Sequence, residues 1–272
     1  MKKVLISAAV AAACSTPFAV LAQAAPAAPA KVEPDFTFTG NAGLFSDYRF
    51  RGFSQTGYGP AFQGGFDFAH KSGFYLGNWN SNVEQGLYNG ASLEMDFYGG
   101  YKFSVGDVGL DVGYLYYYYP KTGAGNSTKV SNGELYFGAS YGPVSGKFFY
   151  GTTKFFSLGK GPTLGSPEFD TKGSYYFDLT GNFPIAESLT LNAHYGYQYI
   201  KNGETAFQQG LLFANANNVS DWKLGVTYDL SGWALGAAVI GTTEKGLFRT
   251  AESGFTKDSG KTSIVVSVSK TF

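Results

Sequence analysis

From Phe36 to Phe50 the chain reads FTFTGNAGLFSDYRF, and its side chains alternate without a break. Even positions carry Phe36, Phe38, Gly40, Ala42, Leu44, Ser46, Tyr48 and Phe50. Odd positions carry Thr37, Thr39, Asn41, Gly43, Phe45, Asp47 and Arg49, with Arg51 continuing the series. A period of two puts alternate residues on opposite faces of an extended chain, so the pattern predicts one strand over 36–50.

The same period recurs to the end of the sequence. SLEMDFYGGYKF sets Leu93, Met95, Phe97, Tyr101 and Phe103 against Glu94, Asp96, Tyr98 and Lys102. VGLDVGYLYYYY, SYYFDLTGNF, LTLNAHYGYQY and DWKLGVTYDL divide in the same way, with Asp111, Asp178, His194 and Lys223 on their polar faces. Less regular strands fall near 61–69, 74–82, 133–141, 144–153, 233–242 and 262–272, which makes twelve strands and no helix. The connections alternate strictly. HKSG, SVGD, YGP, PIAES and LSG are short; those near 52–60, 83–91, 120–132, 154–173, 200–220 and 243–261 are long. The expected architecture is all-β: a transmembrane antiparallel up-and-down β-barrel with short periplasmic turns and long extracellular loops. Twelve is even, so both ends of the barrel fall on the periplasmic side.

Three features turn the apolar face outward. Tyr114, Tyr116, Tyr118, Tyr195, Tyr197, Tyr199, Trp222 and Trp233 collect at the margins of that face, as amphipathic rings do at membrane interfaces. The regular strands have the roughly 9–11 residues that a tilted crossing needs. The chain ends VVSVSKTF, with Ile264, Val266, Val268 and Phe272 on one face, similar to the C-terminal signal of bacterial outer-membrane proteins. Lys270 shares that face near the rim, where its ammonium reaches water.

Composition narrows the picture further. Aromatic residues at 18% and 38 glycines favour strands and turns over helices. The opening MKKVLISAAVAAACSTPFAVLAQA has a basic start, an apolar run and an A-x-A site, so residues 1–24 are expected to be a signal peptide removed after Ala24. Residues 25–35 form an Ala/Pro-rich leader, and 36–272 form the barrel. Cys14 is the only cysteine, so the 248 residues that follow Ala24 hold no disulfide. Loss of Lys2 and Lys3 leaves 18 basic against 20 acidic side chains, which gives no basis for a nucleic-acid partner.

The segment GLFSDYRFRGFSQTGYGPAFQGGFDFAHKSGFYLGNWNSNVEQG resembles the TorF-like family of outer-membrane porins. EMDFYGGYKF, DVGYLYYYYP, ELYFGASYGPVSGKFFY, FPIAESLTLNAHYGYQY and DWKLGVTYDLSGW extend the resemblance over nearly all of the barrel. It implies pore activity in the outer membrane and brings no substrate or active-site residue with it.

The pore-lining candidates are Asp47, Arg49, Arg51, Glu94, Asp96, Glu134, Asp178 and His194. Arg49 and Arg51 at the outer end of the first strand face Glu94, Asp96 and Glu134 at similar height. Such opposed charges either set a transverse field at a constriction or brace the wall as ion pairs. Lower down, Asp67, Lys102, Asp111, Lys147 and Asp229 also point inward, and the modest excess of acids hints at cation preference. The expected function is passive diffusion of small hydrophilic solutes or ions, with no catalysis, cofactor or metal. Expected partners are outer-membrane lipid, those solutes, and the periplasmic chaperones and barrel-assembly machinery. The alternative is a plugged or closed barrel acting in binding or adhesion, or as a lipid-acting enzyme. For the enzyme, His70 and Ser72 have suitable spacing, but they fall in a turn with no orienting partner. Loop 154–173 either enters the lumen or stands above it, and the sequence leaves both open.

Overall fold

The computed structural model describes residues 34–272 except 124–128, 161–164, 213 and 253–254, with 249–257 described by their backbone alone. The expected signal peptide and nearly all of the leader lie outside the described residues. The period-two segments form β1 (Phe36–Phe45), β2 (Ala61–His70), β3 (Phe74–Asn82), β4 (Leu93–Val105), β5 (Val108–Tyr118) and β6 (Ser131–Tyr141). They continue as β7 (Val144–Gly151), β8 (Tyr175–Ala186), β9 (Leu189–Tyr199), β10 (Asn218–Leu230), β11 (Trp233–Thr242) and β12 (Ser263–Thr271). Each strand pairs antiparallel with its neighbours in the chain. β1 closes the ring against β12, with Leu44 opposite Val268 and Phe45 opposite Ser267. Closure leaves no strand edge, so every strand finds ladder partners on both sides.

Two- and three-residue turns join strands at the end that holds Phe36 and Phe272, and all the long connections lie at the other end. The outward face is the apolar one: Phe38 is 65% exposed and Leu224 54%, whereas Glu94 and Asp96 are 1% and 0% exposed. Tyr141, Tyr228 and Trp233 mark the short-turn margin of this belt, and Tyr114, Tyr150, Tyr195 and Trp222 the long-loop margin. Lys270 lies outward with its ammonium over the Trp233 ring, 5.0 Å from the centroid.

The expected strand over 36–50 ends early, at Phe45. Beyond it the chain leaves the wall, and residues 47–55 turn into the barrel and are buried. A miniature hairpin pairs 49–50 with 53–54. Its two central residues, Arg51 and Gly52, have φ of +46° and +83°, the combination of a type I′ turn. A hairpin arm is also extended, so the alternation ran on unbroken while the chain changed direction. A second departure is a six-residue helix, Gly203–Gln208, within the long connection after β9.

The closing seam makes a direct prediction. A Leu44→Cys, Val268→Cys pair in the chain after Ala24, which has no other cysteine, crosslinks on oxidation when folded and shifts the denatured band on a gel. Leu44→Cys paired with Ile264→Cys, four residues out of register, does not; equal crosslinking of both pairs would refute the seam.

Candidate functional site

The residues singled out as lumen-facing all lie inside the barrel, but on two different supports. Glu94 and Asp96 on β4 and Glu134 on β6 project from the wall near the long-loop end. Asp47, Arg49 and Arg51 come from the inserted segment 46–60, so they reach the lumen from its middle and not from a strand. Arg51 Nη2 donates to Glu134 Oε2 at 2.6 Å and Nη1 to Gln198 Oε1 at 2.5 Å. Burial alone would make the guanidinium less basic, but the Glu134 carboxylate, with Tyr117 and Tyr176 adding to it, outweighs this and raises its pKa. Its face lies over the Tyr176 ring, 4.2 Å from the centroid. Arg49 Nε donates to Asp47 Oδ2 at 2.5 Å and Nη2 to Ser263 Oγ on β12 at 2.5 Å. Asp47 also accepts from Ser54 Oγ at 2.6 Å and Thr56 Oγ1 at 3.0 Å. Its carboxyl pKa is raised: desolvation pushes it up by more than Arg49 and the two hydroxyls pull it down.

The inserted segment touches the wall on nearly every side. Tyr48 stands edge-on to Trp79 of β3 and donates to Glu94 Oε1 at 3.1 Å. Phe50 packs edge-on against Tyr117 of β5, and Arg51 reaches β6, β8 and β9. The Gly52 backbone lies so close to Asp221 and Thr242, on β10 and β11, that a Cβ there would stand 2.7 Å from Asp221 Cβ. A segment in contact with β3–β6 and β8–β12 spans the lumen, and its Tyr48 and Phe50 bury with the rings of the wall. Above it Phe53, Phe155, Ile200, Ala206, Leu212, Val219 and Leu247 form a second apolar cluster. Phe156 joins both clusters and meets Phe50 at 5.6 Å, so loop 154–173 does send a side chain down. The long-loop end is therefore a packed cap. At its level Arg51 and Glu134 pair between plug and wall, and Arg49 and Asp47 pair within the plug.

Below the plug, charged side chains sit among buried tyrosines: Asp111 and Asp221 are buried, and Lys102, Lys147, Asp178 and His194 are half-buried. His194 Nδ1 lies 3.2 Å from Asp178 Oδ2 and Nε2 2.8 Å from Asp221 Oδ1. With a carboxylate at each nitrogen, the geometry suits an imidazolium that donates from both. Tyr176 OH donates to Asp221 Oδ2 at 3.0 Å, which connects this trio to the ring beneath Arg51. Sequence spacing did not reveal the trio, because its members sit on β8, β9 and β10 and meet only through cross-strand register. Gly196 lies opposite both aspartates and makes the room: a Cβ there would stand 2.0 Å from Tyr176 OH. Among the described residues no group of three His, Cys, Asp or Glu side chains is placed to hold a metal. His70 Nδ1 meets Ser72 Oγ at 2.8 Å in the exposed turn after β2, a local turn contact.

Removing one member of a buried ion pair leaves the other unpaired, at a cost of about 3–5 kcal/mol. Arg51→Ala and Glu134→Ala each lower unfolding stability in urea by about this amount. Arg51→Met with Glu134→Leu costs less than either, and strict additivity of the two single substitutions would contradict the pairing.

The architecture has relatives among solved structures. The NanC porin superposes with a TM-score of 0.52 at 8% identity, covering 87% of this chain and 99% of its own. A structure from work on in-meso crystallization of membrane proteins gives 0.50 at 10% identity, covering 86% and 83%. The outer-membrane channel DcaP of Acinetobacter baumannii gives 0.41 at 9%, covering 87% and 97%. At these identities the likeness is one of fold. No curated protein matches the sequence. Residues 29–272 match the family described as "Bacterial protein of unknown function (Gcw_chp)", and the chain belongs to that family.

Proposed function

We propose that the protein is an outer-membrane barrel of the porin type, as the TorF-like resemblance implies, which passes small hydrophilic solutes or ions and is shut in this conformation by segment 46–60. One observation carries the reading: a closed twelve-strand barrel with an apolar outer belt and a charged lower lumen. Such an exterior belongs in lipid, where a closed barrel is one of only two ways to pair every backbone group. The outer membrane supplies the lipid. Phe272 at the end of β12, 70% exposed, is available to the assembly machinery and the chaperones that precede it. No catalytic step is assigned, since among the described residues no acid pairs with His70 or Ser72, and His194 is held between two carboxylates. The burial of residues 47–55 favours a second reading, in which the barrel stays closed and serves binding or adhesion.

Planar-bilayer recordings separate the two. The full chain is expected to show small, infrequent openings. A variant with residues 48–57 replaced by a short Gly-Ser linker is expected to conduct steadily and several-fold more. Equal conductance of both would mean that the segment is not the barrier. Silence from both, with the heat-modifiable gel shift of a folded barrel, would overturn the pore and leave the binding reading.

Lipid exposure has its own test. Leu224→Arg, at the middle of the outer face of β10, is expected to lower refolding stability in vesicles by about 2–4 kcal/mol. Thr227→Arg points inward and gives a different response to bilayer thickness, and no loss for Leu224→Arg would argue against a lipid-facing belt.

A further inference from the structure

The charged side chains of the lower lumen lie on one row of the sheet. Lys102 of β4 is opposite Asp111 of β5, which is opposite Gly138 of β6, which is opposite Lys147 of β7. Lys147 is opposite Asp178 of β8, then come Gly196 of β9 and Asp221 of β10. His194 stands one inward position away from Gly196 and bridges the two aspartates on either side. The sign alternates from Lys102 through Asp111 and Lys147 to Asp178, and His194 and Lys223, opposite each other on β9 and β10, then lie beside Asp178 and Asp221. Because barrel strands are staggered, the row climbs as it crosses them. It starts beside the short turn at Gly73, whose carbonyl accepts from the Lys102 backbone N–H, and ends under the plug.

Within this row the cations are not equally satisfied. Lys147 pairs with Asp111 at 3.0 Å, and His194 has two carboxylates. Lys102, half-buried at the open end, has no carboxylate within 4.0 Å among the described residues. Its ammonium rests over the Tyr75 ring at 5.0 Å, as that of Lys147 rests over Tyr136 at 4.5 Å. Tyr75 and Tyr136 share a hydrogen bond, and Tyr75 OH donates to Asp111 Oδ1 at 2.6 Å. Asp67, the other acid on this side, accepts from Tyr98 OH at 2.6 Å. Two ammonium groups thus flank one tyrosine pair; the one carboxylate in contact there, Asp111, bonds to Lys147 and Tyr75, and Asp67 acts on Lys102 from beyond contact distance.

We infer that Lys102, with Lys147 beside it, forms an anion subsite in the lower lumen for the carboxylate of a small organic acid that enters from the short-turn end. The inference names a solute class for the lumen and rests on the porin-type reading only in requiring that this end be open to water. The bound carboxylate takes the place of the next negative charge in the row. The plug above stops the solute there in the closed conformation, so binding is measurable without conduction.

The test is calorimetric titration of the refolded, detergent-solubilised chain with succinate, at low salt. Saturable binding is expected, weakened roughly tenfold by Lys102→Gln, as for loss of one charge-assisted contact, and unaffected by Lys71→Gln in the exposed turn. Amine acetylation of the unsubstituted protein, read by peptide mass spectrometry, gives a second measurement should Lys102→Gln fail to fold. Succinate is expected to protect Lys102 but not Lys71. Absence of saturable binding by folded protein, binding unchanged in Lys102→Gln, or absence of protection would each overturn the subsite. Binding without conductance would sink the pore and keep the subsite; conductance without binding would do the reverse.

Discussion

A ring of paired strands with its apolar side chains outside has to solve a problem on the inside. Alternation sends half of each strand's side chains into the lumen, where acids such as Glu94 and Glu134 lie beside rings such as Trp79, Tyr117 and Phe149. Here the two ends of the barrel solve it differently. At the long-loop end, the inward polar groups are covered by segment 46–60, which brings its own aromatic rings and its own counter-charges. Toward the short-turn end they neutralise one another along a row, with Asp111 and Asp221 buried and the cations half-buried. The position of the plug thus follows from the closed ring: burial of Glu94 and Glu134 is tolerable only because Tyr48 and Arg51 arrive to bond with them.

Arg51 concentrates this dependence. A non-glycine residue in the left-handed region costs roughly 1–2 kcal/mol, and here it is accepted at the tip of a two-residue turn. That backbone conformation turns the guanidinium toward Glu134 and Gln198 and over the Tyr176 ring. The larger cost of leaving the buried Glu134 unpaired decides the balance in favour of the strained turn. Tyr176 also binds Asp221, so the plug and the charged row of the lower lumen share one residue.

The barrel was legible in the sequence because its determinants are local. Period two, strand length and the alternation of short and long connections can all be read within a dozen residues, and the parity of every clear strand matches its exposure. Segment 46–60 was not legible, since Ser46 to Phe50 keep the period while the chain turns inward; the Arg51-Gly52 pair before Phe53 was the available sign of a turn. The lumen residues were identified by parity, but their partners were not. Asp178 and Asp221 are 43 positions apart and meet His194 only through register on both sides of β9, which single-strand patterns do not encode. Trp79 was missed for a different reason. Its inward parity on β3 was available, but a buried tryptophan inside a barrel makes sense only once Tyr48 is known to lie against it.

Counting inward acids and bases, as the sequence allows, hinted at cation preference, and the geometry changes what such a count means. Asp47 and Glu134 are neutralised by plug arginines, and Asp178 and Asp221 share His194, so these carboxylates offer little to a passing ion. A row of alternating sign has almost no net field beyond its own spacing, because each charge is cancelled by its neighbours within a few ångströms. In the proposed reading, selectivity is decided where the alternation stops, at Lys102, a cation with no carboxylate within 4.0 Å among the described residues; the end of the row, and not the total charge, would then set which solutes the lumen holds.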